Sequence, residues 1–245
     1  MRYNSQAHDI MRCNTACCIE IKTELVKMKK LIIFDLDGTL VNSVDDLADA
    51  ANAALEENGF PRRTTDEIRR FVGNGVGVLI RLAVPDGEYN DETAVKMRRS
   101  FDVFYRTHFA VKTKPYDGIP ELLGELKKKG ILLAVASNKP DEFAKSIVKT
   151  FFGDTFDAVR GQTEDIPRKP DAAVVRRILS DLGVTADEAA FAGDSDVDIL
   201  TARNSGTLSV GCSWGFRPRK LLEDTGAEYI ADKPSDILDM EFVSK

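Results

Sequence analysis

Acids, a hydroxyl, an amide and an ammonium group stand where the short apolar runs of this chain end. The run LIIFD closes in Asp35-Leu-Asp37-Gly-Thr39, and ILLAVA closes in Ser137-Asn138. The run AAFA closes in Gly193-Asp194-Ser-Asp-Val-Asp198, and Lys169-Pro170 opens the helical segment before it. In open parallel sheets ligands bind beyond the carboxyl ends of the strands, so one sheet edge gathers all of these groups. Asp35, Asp37, Asp194 and Asp198 cannot crowd together unpaired, because like charges repel and raise one another's pKa values. A hard divalent cation resolves the conflict. An all-oxygen donor set suits Mg2+, which often bridges to phosphate oxygens. Ser137, Asn138, Lys169 and the backbone amides of the loop after Asp37, which includes Thr39, then form an anion cradle. Carboxylates, Mg2+ and an anion cradle describe phosphoryl transfer, where catalysis is mostly positioning and charge stabilisation. No Walker-type glycine-rich loop ending in Gly-Lys-Ser/Thr occurs, so a nucleotide P-loop is not the cradle.

The elements that position these groups follow from periodicity. Residues 31–35, 131–136, 189–192 and 207–210, with a weaker run at 156–159, suit buried strands by length and composition. Helical patterns at 119–129, 171–182 and 197–203 separate them. Alternating strand and helix implies a parallel sheet with right-handed crossovers. Residues 43–113 break the alternation with consecutive helices and no strand. Ser43 to Asp46 and Thr64 to Glu67 read as capping boxes. Val95, Phe101, Phe104, Tyr105 and Phe109 read as the core of the last helix. The expected organisation is an α/β core of residues 28–42 and 114–245, interrupted by an α-helical cap at 43–113.

Residues 1–27 stand apart. They carry His8, Cys13, Cys17 and Cys18, whose spacing is poor for a zinc site. They show no sustained period and lack the apolar stretch of a secretory signal. The expectation is a disordered extension, with translation starting at Met28. The 245 residues are 43% hydrophobic and 30% charged, which excludes disordered and collagen-like classes for the whole. A net charge of −6 argues against a broadly basic nucleic-acid binder. No run of about 18 apolar residues predicts a membrane span. The expected location is therefore the cytoplasm.

The four ordered motifs resemble those of the haloacid dehalogenase superfamily, over roughly Lys29 to the C-terminus. The stretch Phe34 to Ser43, the cap segment Phe71-Val-Gly-Asn-Gly75 and the loop Trp214-Gly-Phe-Arg217 are similar to phosphoglycolate phosphatases. The resemblance implies a Rossmann-like parallel sheet core with an inserted small α-helical cap. It implies Asp35 as nucleophile, forming an aspartyl-phosphate, and Asp37 as the acid that protonates the leaving alkoxide and then activates water. It also implies Mg2+ held by Asp35, Asp194 and the backbone carbonyl of Asp37. Ser137 would bond the phosphoryl oxygens with Asn138 nearby. Lys169 would neutralise Asp35, and Asp198 would orient Lys169 or a metal-bound water. The implied substrate is a small phosphorylated metabolite, best matched by 2-phosphoglycolate, and the chain would be a monomer or homodimer.

Each residue has a blander reading. Asp35 and Asp37 could cap a strand-to-helix turn, and Asn138 and Asp194 could serve local backbone bonds. Gly73-Asn74-Gly75 is either a turn or a substrate contact. Arg69, Arg70 and Arg81 are candidates for a substrate carboxylate, set against a solvated helix face. Cys212 reads as a small buried hydrophobe. The competing activities are a sugar-phosphate mutase or pyrophosphatase of the same superfamily, then a metal-independent dehalogenase or a non-catalytic sensor.

Overall fold

The computed structural model describes residues 28–243, so the expectations for His8, Cys13, Cys17 and Cys18 lie outside the described residues. The chain begins with β1 (Leu31–Phe34) and β2 (Val41–Asn42). Four helices follow: α1 (Val44–Glu57), α2 (Thr65–Phe71), α3 (Val76–Ala83) and α4 (Asp91–His108). Then come β3 (Lys114–Pro115), α5 (Ile119–Lys128), β4 (Leu132–Pro140), α6 (Asp141–Phe152), β5 (Ala158–Gln162) and α7 (Ala173–Leu182). The last elements are β6 (Ala189–Gly193), α8 (Asp196–Ser205), β7 (Leu208–Cys212), α9 (Arg219–Thr225) and β8 (Tyr229–Ala231).

Six strands form one parallel sheet in the order β5-β4-β1-β6-β7-β8. The expected α/β class and parallel sheet are therefore present. β1 is central and all four of its residues are fully buried, as a strand covered by helices on both faces requires. Each such side chain contributes about 1.5–3 kcal/mol by leaving water. One apolar cluster, containing Ile32, Phe34 and Leu133, fills one face of the sheet. Another, containing Leu31, Ile33 and Phe191, fills the other. Cys212 is fully buried in the first cluster, where burial raises its thiol pKa, so it behaves as the small hydrophobe expected.

Helices α1 to α4 share an apolar cluster of their own, which Phe143 of α6 joins from the sheet side. This helical layer leaves and re-enters through a two-residue antiparallel ladder, Val41 opposite Pro115 and Asn42 opposite Lys114. Thr64 and Glu67 form the expected capping box of α2. Ser43 and Asp46 do not. The Ser43 hydroxyl donates to Asp37 instead, at 2.5 Å. The buried Asp46 carboxylate accepts from the backbone N–H of Lys112 and Thr113 and from the Thr113 hydroxyl. A long-range partner thus takes the carboxylate a local cap would use, and it ties the two ends of the helical layer together. Val95 is a second correction, being 70% exposed. The buried face of α4 runs through Met97, Phe101 and Tyr105, and Val95 lies about 200° round the helix from Met97. Phe104 and Phe109 are half-buried against the same cluster. Helices α6 and α9 and strand β8 were not among the elements expected from periodicity. No helix of the described residues is long and apolar enough to cross a membrane.

Candidate active site

The strand order brings the chemistry together. β1 lies between β4 and β6, and all three point the same way. Their carboxyl ends therefore deliver Asp35, Ser137-Asn138-Lys139 and Asp194 to one edge. Lys169 arrives from the loop before α7. Its ammonium donates to Asp35 at 2.8 Å and to Asp198 at 2.7 Å. Burial opposes the charge on Lys169, but Asp198 and Asp35 outweigh it and hold its pKa above the ordinary lysine value.

The carboxylates outnumber that cation. Asp35, Asp194 and Asp198 are buried, and each presents an oxygen within 4.8 Å of the others'. Burial pushes the Asp35 carboxyl up to about 7; Lys169 pulls it down, while Asp198 and Asp37 push it further up. Burial, with Asp198 and Asp35, raises Asp194 as well, against the Phe216 N–H and the Thr39 hydroxyl that donate to it. Three crowded carboxylates with one ammonium leave an excess of negative charge in a place poor in water. An all-oxygen donor set of this kind fits a hard divalent cation such as Mg2+. The backbone leaves no slack around it. At Gly38, with φ of 95°, a β-carbon would overlap the Asp194 carboxylate, and at Gly215 it would overlap Asp194 and the Gly38 carbonyl.

The other expected site residues divide. Asp37, Ser137, Asn138 and Gly73 line a cleft with Asp35. The Asp37 carboxylate is turned away from the acidic cluster, accepting from Ser43 and, at 3.0 and 3.1 Å, from the ammonium of Lys139. The Ser137 hydroxyl accepts from the Lys139 N–H. The Asn138 side chain is already committed to backbone groups. It accepts from the Lys169 N–H and donates to the carbonyls of Lys169 and Gly73, so it pins both segments. Thr39 is fully buried and spends its hydroxyl on Asp194, which removes it from the cleft wall and makes it a support for that carboxylate. Asn74 is exposed, and its carbonyl accepts from Arg168. Arg81 is exposed on α3 and does not reach the cleft. Arg69 and Arg70 instead offer their carbonyls to the Arg217 guanidinium, which also takes the carbonyl of Val72.

Lys139 is the functional-looking residue that sequence reasoning missed. Next to Asn138 it reads as a solvated loop lysine, yet it is 7% exposed. Its alignment with the end of β4 was the available signal. The cleft it lines holds only about 50 Å3 of space, room for a small ligand. Leu47, Val72, Val76 and Leu79 of the helical layer wall it opposite Asp35.

The chain is similar over most of its length to known proteins. The family model for haloacid dehalogenase-like hydrolases matches residues 32–212, more than half of the chain. A phosphoglycolate phosphatase of Vibrio vulnificus is 34% identical over 221 residues, covering 88% of this chain and 97% of its own. One from Aquifex aeolicus is 32% identical, covering 85% of this chain and 95% of its own. A crystal structure described as a predicted phosphoglycolate phosphatase from Haemophilus somnus superposes with a TM-score of 0.81 at 31% identity, over 86% of this chain and 97% of that one.

Proposed function

The chain belongs to the haloacid dehalogenase-like hydrolases, and on that premise we propose that it is a Mg2+-dependent phosphatase of a small phosphorylated metabolite, best matched by 2-phosphoglycolate. The observation that carries this reading is the pair Asp35 and Asp37 on one loop with opposite surroundings. Asp35 belongs to the cation-binding cluster, and Asp37 faces the cleft and Lys139.

In this reading an Asp35 carboxylate oxygen attacks phosphorus, the phosphorus–ester oxygen bond breaks, and an aspartyl-phosphate forms. A proton held at the Asp37 carboxyl goes to the departing alkoxide. Asp37 then takes a proton from the water that attacks phosphorus and frees phosphate from Asp35. Lys169 keeps charge balanced on Asp35, and Asp198 holds Lys169 in place. Ser137 bonds a phosphoryl oxygen. Asp35 and Asp194, with the carbonyl of Asp37, would hold Mg2+, and the third buried carboxylate, Asp198, adds to the charge that draws it in. When bound, that ion offsets the negative charge that develops on the phosphoryl oxygens. The helical layer excludes bulk water from the aspartyl-phosphate. Its apolar walls suit an organic leaving group better than pyrophosphate.

The test is phosphate release from 2-phosphoglycolate by the purified chain. Activity is expected with Mg2+, lost in EDTA, restored by Mg2+, and abolished in Asp35→Asn. Turnover of other phosphomonoesters with none of phosphoglycolate overturns the substrate assignment. Undiminished activity of Asp35→Asn overturns the mechanism.

A further inference from the structure

The cleft wall on the far side of Asp37 holds two polar groups that the phosphoryl chemistry leaves unused. Lys139 is the one cationic side chain walling the cleft among the described residues. Its ammonium donates to both oxygens of Asp37 and also lies against the Tyr105 hydroxyl oxygen. Beside it stands Tyr105 of α4, with the Lys139 nitrogen 4.9 Å from the centre of its ring. Tyr105 is 1% exposed, and no group accepts the proton of its hydroxyl. A buried phenol proton without an acceptor costs stability unless something else supplies one. Burial pushes its pKa to about 12, so at neutral pH it keeps its proton and can donate. The ring is fixed by an edge contact to Phe143 at 5.1 Å and by stacking on Phe101 at 5.4 Å.

The rest of that wall is apolar: Phe101, Phe143, Val76 and Leu79. A buried ammonium and a hydroxyl with a proton to donate, set in such a wall, match an anion rather than a neutral group, because a charged acceptor gains most where water is scarce. Their position fixes where that anion sits. Lys139 touches Asp37, the residue assigned to the ester oxygen of the leaving group. An anion at Lys139 therefore lies only a carbon or two from that oxygen.

We propose that Lys139 and the Tyr105 hydroxyl form a carboxylate subsite, which selects phosphoesters of short 2-hydroxy acids over uncharged phosphoesters of the same size. The subsite rests on the phosphatase reading above and names the part of the substrate that reading leaves open. Lys139 supplies the charge. Tyr105 supplies a directional donor from the helical layer beside that charge, so the anion meets both on one wall of the cleft.

Two esters of nearly equal shape test it: 2-phosphoglycolate and 2-hydroxyethyl phosphate, in which the carboxylate becomes a neutral alcohol. The readout is the ratio of their kcat/KM values for the full chain with Mg2+. Wild type is expected to favour phosphoglycolate by at least tenfold. Lys139→Met should collapse that ratio by roughly 10- to 100-fold, the range of a charge-assisted hydrogen bond. Tyr105→Phe removes only the hydroxyl and keeps the ring contacts to Phe143 and Phe101, so folding is preserved. It should lower the ratio about 3- to 10-fold, mainly through KM for phosphoglycolate. If Lys139→Met slows both esters equally, Lys139 serves only to position Asp37 and the subsite is overturned. A wild type indifferent to the carboxylate overturns it as well, while the phosphatase reading stands. A wild type that hydrolyses neither ester nor any other phosphomonoester overturns the phosphatase reading, and the subsite falls with it.

Discussion

Replacing Lys169 by Met keeps the length of the side chain and removes its charge. The ammonium lies 2.8 Å from Asp35 and 2.7 Å from Asp198, and the Lys169 side chain is 2% exposed. Breaking a buried ion pair from one side costs about 3–5 kcal/mol, because the carboxylates left behind have neither water nor a partner. Part of that cost can be escaped by taking up a proton. In the wild type Asp35 titrates near 7, above its unfolded value of 3.8. The folded cluster therefore binds more protons than the unfolded chain between these values, and its stability contribution falls as pH rises through that window. Without Lys169 the cluster keeps a proton to still higher pH. The gap between variant and wild type must then widen on going from pH 6 to pH 9, by about 1.4 kcal/mol per pH unit for each extra proton held. Urea unfolding of both proteins in EDTA should show a loss of about 1–2 kcal/mol at pH 6, growing toward about 3–5 kcal/mol at pH 9. Saturating Mg2+ should recover part of it. Equal midpoints at pH 9, or a gap that narrows as pH rises, would refute the role of Lys169 as the counter-ion of this cluster.

Two further outcomes follow from close packing and from the ends of the helical layer. Gly215→Ala forces a methyl group against Asp194 and the Gly38 carbonyl, so stability should fall by about 1–3 kcal/mol. Mg2+ affinity, read by calorimetry, should weaken more than tenfold; unchanged affinity would separate this loop from the cation site. Asp46→Ala leaves the N–H groups of Lys112 and Thr113 and the Thr113 hydroxyl without their shared acceptor, at a cost of about 2–3 kcal/mol. Hydrogen exchange at Lys112 and Thr113 should rise before exchange in β1 does.

What the sequence showed and what it hid differ in range. Asp35, Ser137 and Asp194 were legible because each ends a short apolar run, and a strand end is a local property. The parallel sheet followed from the same runs. The helix α6 was open to the same reasoning, since Phe143, Ala144, Ile147 and Val148 make a helical stripe between Pro140 and Gly153. Other features depended on partners far away in the chain. Asp46 looked like a local cap because its real partners are 66 and 67 residues distant. Thr39 looked like a ligand for the anion because nothing nearby shows that Asp194, 155 residues on, claims its hydroxyl. Lys139 was invisible for the same reason, its environment being assembled from Asp37 and from Tyr105 on the helical layer. Arg81 failed differently: a cation on an amphipathic helix faces water unless packing turns it inward, and on α3 the apolar residues hold the inner face.

The ladder of Val41 with Pro115 and Asn42 with Lys114 sets both ends of a long excursion side by side. An insertion that starts and stops at one point does not alter the distances that the sheet must span. The entropy of closing it also grows only slowly with its length. The helices can therefore be lengthened, remodelled or exchanged for another set without disturbing the order of β1, β4 and β6. Inheritance can revise the helical walls of the cleft while the strand ends that carry Asp35, Lys139 and Asp194 are copied unchanged.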